Sequence, residues 1–202
     1  MEEKLGLNDS LIIQYLNYMK GLFLGDWGYS LRTSRNVFDD IIATFPATLE
    51  LTTVAMLIAI LLGVPLGVIS AIRKDKFLDQ FSRIFGLTGV AMPRFWLGIM
   101  LQIVFAYWLS LFPIIGRGEV ELTTITGLRL FDSLITLNFP AFIDSVKHII
   151  LPAIALSVGA MAQIMRLTRA NMLEQLNKDY ILASKAYGLP KNIIVFKYML
   201  KN

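Results

Sequence analysis

The chain has 202 residues, 55% of them hydrophobic and only 17% charged, with a mean hydropathy of +0.61, which is too apolar for an ordinary soluble domain. Its 19 Lys and Arg exceed its 15 Asp and Glu by a net +4, but the cations cluster beside apolar segments, so membrane topology accounts for them better than nucleic acid does. Without cysteine there is no disulfide framework and no thiolate metal site.

Residues 1–45 read as an external amino-terminal segment. Met1–Ser10 is polar and acidic, unlike a signal peptide. Residues 8–24 have helical apolar spacing, with Leu11, Tyr15, Tyr18 and Leu22 on roughly one face. Gly25-Asp26-Trp27-Gly28 breaks that helix as a turn, and residues 36–44 predict a short helix leading to Pro46.

Three windows then carry no charge: Leu51–Ile72 (22 residues), Phe95–Gly116 (22) and Ile149–Met165 (17). About 20 apolar residues cross about 30 Å of hydrocarbon, so the first two suffice, and the third does when His148 and Arg166 snorkel at its ends. The expected spans are 46–72, a kinked 81–112 interrupted by Gly86, Gly89, Pro93 and Gly98, and 148–169, with Pro152 in its first turn. Gly63, Pro65 and Gly67 in the first span suit kinks and close helix contact. The fold class is therefore all-α, a polytopic helical membrane protein.

Charge asymmetry sets the expected orientation. The 73–80 loop and its flank hold Arg73, Lys74, Lys76 and Arg83, and the 170–202 tail with the end of the third span holds seven cations from Arg166 to Lys201. The 113–147 loop holds Arg117, Arg129 and Lys147 against Glu119, Glu121, Asp132 and Asp144, and short surface helices are expected at 131–137 and 141–146. The 73–80 loop and the carboxyl end are thus expected in the cytoplasm; residues 1–45 and 113–147 are expected outside. An outside amino terminus with no span before it suggests a fragment.

In the tail, Ser184-Lys185-Ala186-Tyr187-Gly188-Leu189-Pro190 ends a short, small-residue helix with a glycine suited to positive φ, and Pro190 turns the chain. Leu176, Tyr180, Ala183 and Tyr187 form one stripe at i, i+4, i+7 and i+11. Such a stripe fits a groove on another protein, or lies on a lipid surface among lysines.

The order of several short segments resembles the inner-membrane permease subunits of ATP-binding-cassette importers for dipeptides and oligopeptides. The segments are Gly25–Leu31, Pro46-Ala47-Thr48-Leu49-Glu50-Leu51, Gly63–Gly67, Pro93 with Phe95-Trp96-Leu97-Gly98, Thr126-Gly127-Leu128 with Asp132-Ser133-Leu134, His148–Ala153, Arg166–Arg169, Asp179-Tyr180, Ala183–Gly188 and Lys197–Asn202. The resemblance covers nearly the whole chain. It implies a permease of ABC importer type whose six usual spans are here reduced to the second, third and fourth.

By resemblance, Asp179, Tyr180, Ala183, Ser184, Ala186, Gly188 and Leu189 form the coupling loop that meets a cytoplasmic ATPase subunit; Leu182 stands where many importers carry an acid. The implied partners are a second permease subunit, the ATPase subunits, an extracytoplasmic solute-binding protein and the lipid bilayer, with no nucleic acid. ATP and Mg would belong to the ATPase, since no glycine-rich phosphate loop occurs here; no cofactor, metal site or catalysis is expected of this chain. The solute is expected to be a peptide, although related permeases carry nickel or oligosaccharides. An alternative is a membrane-anchored interaction protein that no longer transports.

Four further expectations concern individual residues. Arg94, inside the second apolar region, either lines the pathway and attracts a carboxylate or snorkels to the cytoplasmic surface. Gln102 and Gln163 either line a channel or bond between helices. Asp26 and Glu50 are candidates to face the receptor, Glu50 reading equally as a solvated helix-end charge, and His148, the only histidine, is expected at a surface or interface.

Overall fold

The structure is a computed structural model and describes residues 10–201, which form two compact units dividing between Thr48 and Leu49. In the first unit, α1 (Leu11–Phe23) has no buried residue and leaves Leu11, Tyr15 and Tyr18 exposed. Gly25 and Gly28 take positive φ in the turn that follows, and the Asp26 carboxylate accepts from the Gly28 amide at 3.1 Å. A lone antiparallel bridge joins Tyr29 to Asn36, and Trp27 meets Phe38 edge to face at 5.7 Å.

Asn36 opens α2 (Val37–Ile72): its side-chain oxygen accepts from the Phe38 amide at 2.9 Å, and Asp39 and Asp40 sit in the first turn, where the helix dipole favours acids. The short helix expected at 36–44 and the first apolar window are thus one helix, continuous through Pro46 and Pro65.

In the second unit α6 (Phe139–Gln175) is the central rod, against which α3 (Phe77–Ala91), α4 (Arg94–Leu101) and α5 (Arg129–Ile135) all pack. Its buried positions are mostly Ala, Ser, Gly and Met, while Leu61, Leu87 and Phe95 on neighbouring helices face outward. Small residues inside and large apolar residues outside are what close helix packing in lipid requires. Gly67 shows the tightness: a Cβ there would lie 2.7 Å from both the Met165 carbonyl and Thr168 Cβ.

Three features depart from the expectations. Helix α6 begins at Phe139, capped by the Asn138 side chain, which accepts from the Ala141 amide at 3.1 Å. Pro152 therefore lies in the interior of a 37-residue helix, not in its first turn, and the surface helix expected at 141–146 is the start of that same rod. The second apolar region breaks at Met92-Pro93, with α3 and the helix after it meeting at 104°. Met92 before the proline is extended, as that ring demands of its predecessor. Beyond Leu101 the helix widens to a π-helix over Gln102–Trp108, and a second π segment, Ile194–Met199, follows the short α8 (Lys191–Ile193); neither was legible in the sequence. Among the described residues, two helices are long and apolar enough to cross a membrane, three if the bent pair counts as one span.

Candidate functional site

The region expected to couple is α7 (Asp179–Ala186), a two-turn helix with Asp179 in its first turn and Lys185 in its last, both suited to the dipole. It ends in a Schellman motif: Gly188, at φ 72°, donates to the Lys185 carbonyl at 3.0 Å, and Leu189 donates to the Ser184 carbonyl at 3.2 Å. Glycine takes that left-handed conformation without the Cβ penalty.

One face of α7 is fixed to the rest of the chain. Ile181, 0% exposed, sits in a cluster with Val68 and Ala71 of α2, Met172 of α6, and Ile194, Val195 and Met199 of the carboxyl-terminal turns. Ser184 is also buried, its hydroxyl donating to the Tyr180 carbonyl at 2.7 Å, and Leu189 packs against the same cluster. These two expected coupling residues therefore face inward. Asp179, Tyr180, Ala183, Ala186 and Gly188 are exposed, and Tyr187 is 85% exposed. The expected stripe keeps Tyr180, Ala183 and Tyr187 but loses Leu176, which packs on the cluster from the end of α6.

Beside this cluster lies a polar hub that sequence reasoning missed. Asp79, wholly buried, accepts the Ser70 hydroxyl at 2.6 Å and the Asp75 amide at 3.0 Å. Arg169 grips the same carboxylate from α6, with Nε at 2.5 Å and Nη2 at 2.8 Å, and Arg83 lies at 3.4 Å. Arg83, four residues after Asp79, was the only local signal.

At the opposite end of α6, three carboxylates hold the 113–128 loop. Asp144 accepts the Glu119 and Val120 amides at 2.6 and 3.0 Å and lies 3.6 Å from Arg129. Asp132 accepts the Ile125, Thr126 and Gly127 amides at 3.0, 2.9 and 3.1 Å and the Thr126 hydroxyl at 2.6 Å. Burial raises its pKa, but these donors outweigh burial and hold the carboxyl below its usual range.

Glu50, considered for the receptor face, is only 8% exposed; it accepts from Arg117 at 2.9 Å and from the Leu130 amide at 2.5 Å. It therefore ties α2 to the loop instead of presenting a free carboxylate. Asp26, in the first unit, is exposed but engaged with its own turn. His148, expected at a surface or interface, has its side chain buried within the chain, its Nδ1 2.8 Å from the Asp144 carbonyl and its Nε2 without a hydrogen-bond partner among the described residues.

Of the residues considered for a pathway, Gln102 donates to the Ile114 carbonyl at 3.0 Å and so closes the chain after the π segment. Gln163 is exposed on α6, four residues beyond Gly159. Arg94 opens α4, directly after the bend, with its guanidinium beside Gly159, where a Cβ would meet Nε at 3.5 Å. Gly159 is near the middle of the expected third span. Arg94 is exposed, with no acid in ion-pairing distance among the described residues. No group of acids or histidine suited to a metal occurs among those residues.

Comparison with known proteins places these features in context. Over its full length the chain is 43% identical to a dipeptide transport system permease protein of Alkalihalophilus pseudofirmus and 40% identical to a probable D,D-dipeptide transport system permease protein of Escherichia coli, covering 61% and 60% of those proteins. Across 99% of the chain it is 37% identical to an oligopeptide transport system permease protein of Bacillus subtilis, of which it covers 58%. The chain thus spans about three fifths of the length of the curated relatives it matches. Residues 63–202, from the tight α2 crossing through α7 to the end of the chain, match the model of the binding-protein-dependent transport system inner membrane component, and the chain belongs to that family.

Proposed function

We propose that this chain supplies the central helices of a permease subunit in a binding-protein-dependent ABC importer for dipeptides or oligopeptides. Solute delivered by an extracytoplasmic binding protein crosses by alternating access, driven by a separate ATPase subunit that carries ATP and Mg. A second permease subunit completes the pathway, and the carboxyl end lies in the cytoplasm.

One observation carries this reading. Helix α7 presents Tyr180, Ala183 and Tyr187 outward while Ile181 is locked between α2 and α6. A push on the exposed face is therefore delivered to two long helices at once. The small side chains of Ala183 and Ala186 let a partner approach the backbone, and the glycine cap keeps the helix short. The hub joining Asp79 to Arg169 ties α3 to the same movement.

At the far end, the loop held by Glu50, Asp132 and Asp144 is the surface offered to the binding protein, with Glu50 acting through the loop it secures. Arg94 supplies a positive group for the carboxylate of a peptide. A cation at the amino-terminal end of a helix meets the positive end of the dipole, so an anionic visitor relieves that conflict.

The test is cysteine crosslinking in inverted vesicles holding the assembled transporter. Cysteines at 180, 183 and 187 are expected to capture the ATPase subunit, and cysteines at 181 and 184 are expected not to. Uniform capture along residues 175–200, or labelling of 183 and 187 only from the outer face, overturns the reading.

A further inference from the structure

Between α3 and α6 lies a cavity of about 290 Å³. Its wall is apolar, formed by Gly86, Leu87 and Met165, and its rim carries Arg83, Arg166 and Arg169. The geometry points to a binding site for one anionic phospholipid, with the phosphate at the arginine rim and an acyl chain along the Leu87–Met165 wall.

Charge supports a phosphate at this place. Arg169 is engaged by Asp79, and Arg83 lies 3.4 Å from Asp79 and 3.6 Å from Asp75. Arg166 has no acid within ion-pairing distance among the described residues. Three cations thus face two acids, leaving one positive charge at the rim.

Position supports a lipid over a soluble anion. Arg166 is the first charge after the window Ile149–Met165, so the cavity straddles the change from apolar to charged sequence. Leu87 and Ile84 on the α3 side are both mostly exposed, which continues the apolar wall outward. A soluble phosphate compound would leave that wall wet; an acyl chain covers it. Basic pockets between membrane helices hold anionic head groups on this same combination of charge and grease.

The experiment uses the full chain in nanodiscs of phosphatidylcholine containing one quarter phosphatidylglycerol, with retained lipid counted by native mass spectrometry after detergent extraction. Phosphatidylglycerol is expected to be enriched over phosphatidylcholine. Arg166→Gln is expected to lower that enrichment about fivefold, the worth of one cation near a lipid surface, while Arg166→Lys retains most of it. Leu87→Trp, which fills the cavity without touching charge, also removes the enrichment, and Lys147→Gln at the far end of α6 leaves it unchanged. A photoactivatable phosphatidylglycerol is expected to label residues 82–87 or 165–166. Equal retention of the two lipids by the unaltered chain, full enrichment in Arg166→Gln, or occupation of the cavity by a crosslinked protein helix overturns the proposal.

Discussion

Arg169 and Asp79, 90 positions apart in sequence, form a two-pronged ion pair at 2.5 and 2.8 Å around a carboxylate with no solvent exposure. Removing one partner leaves the other buried and uncompensated, which generally costs about 3–5 kcal/mol. Asp79→Asn and Arg169→Met are each expected to lower the unfolding midpoint in detergent micelles, followed by tryptophan fluorescence. The double variant is expected to lose less than the sum, because neither then strands a charge.

Helix crossing gives a second expectation. Gly67→Ala places a methyl 2.7 Å from a backbone carbonyl and from Thr168, so α2 and α6 must part; overpacking of this kind costs about 1–3 kcal/mol. Gly98→Ala meets Ala155 at an ordinary 3.7 Å and is expected to be neutral or mildly stabilising. The same unfolding assay separates the two; equal effects would remove the close-contact argument.

Acid should loosen the 113–128 loop. The Asp132 carboxyl is held below its ordinary value by its four donors against the opposing effect of burial, so it binds a proton less readily folded than unfolded. Its contribution is therefore complete above the unfolded pKa of about 3.9 and is lost as pH falls through the lower folded value. The protection of the Ile125–Gly127 amides, taken relative to their intrinsic exchange rate at each pH, is expected to hold at pH 7 and pH 5 and to fall only below about pH 4. Asp132→Asn should show low protection throughout.

For α7, anchoring and the proposed contact separate cleanly. Ile181→Ala opens a cavity in the cluster and is expected to destabilise by about 2–5 kcal/mol. Tyr187→Ala alters a highly exposed side chain and is expected to change stability by less than about 0.5 kcal/mol while weakening ATPase crosslinking.

Arg94→Gln tests the pathway. Uptake of peptides with a free carboxyl terminus by the assembled transporter should fall at least about tenfold, the loss of about 1.4 kcal/mol of charge-assisted binding. Peptides amidated at that terminus should be little affected. Equal loss for both would assign Arg94 a structural role.

Much of the architecture was legible because lipid imposes a simple rule: charge-free windows of sufficient length become helices, and glycines mark close contact. The helix end at Gly188 was legible for the same local reason, since one residue type suits that φ. The extent of α6 was not, because Asn138 and Pro140 start the helix in a stretch whose composition resembles a surface loop. The inward turn of Ser184, Leu189 and Glu50 was also hidden. Leu189 and Glu50 are set by partners far away in sequence: the α2 and α6 cluster for the first, Arg117 and Leu130 for the second. The hub around Asp79 escaped for that reason too, since a carboxylate in a basic loop looks solvated until Arg169 arrives from another helix.

The 37 residues of α6, at 1.5 Å each, make a lever arm about 55 Å long, well beyond the roughly 30 Å of hydrocarbon it crosses. Pivoting such a rod by about 5° around its centre would sweep each tip by about 2.4 Å in opposite directions. Under the proposed function, a push on α7 at one end of the rod would be returned as a comparable swing at the 113–128 loop at the other, with no local unfolding between them.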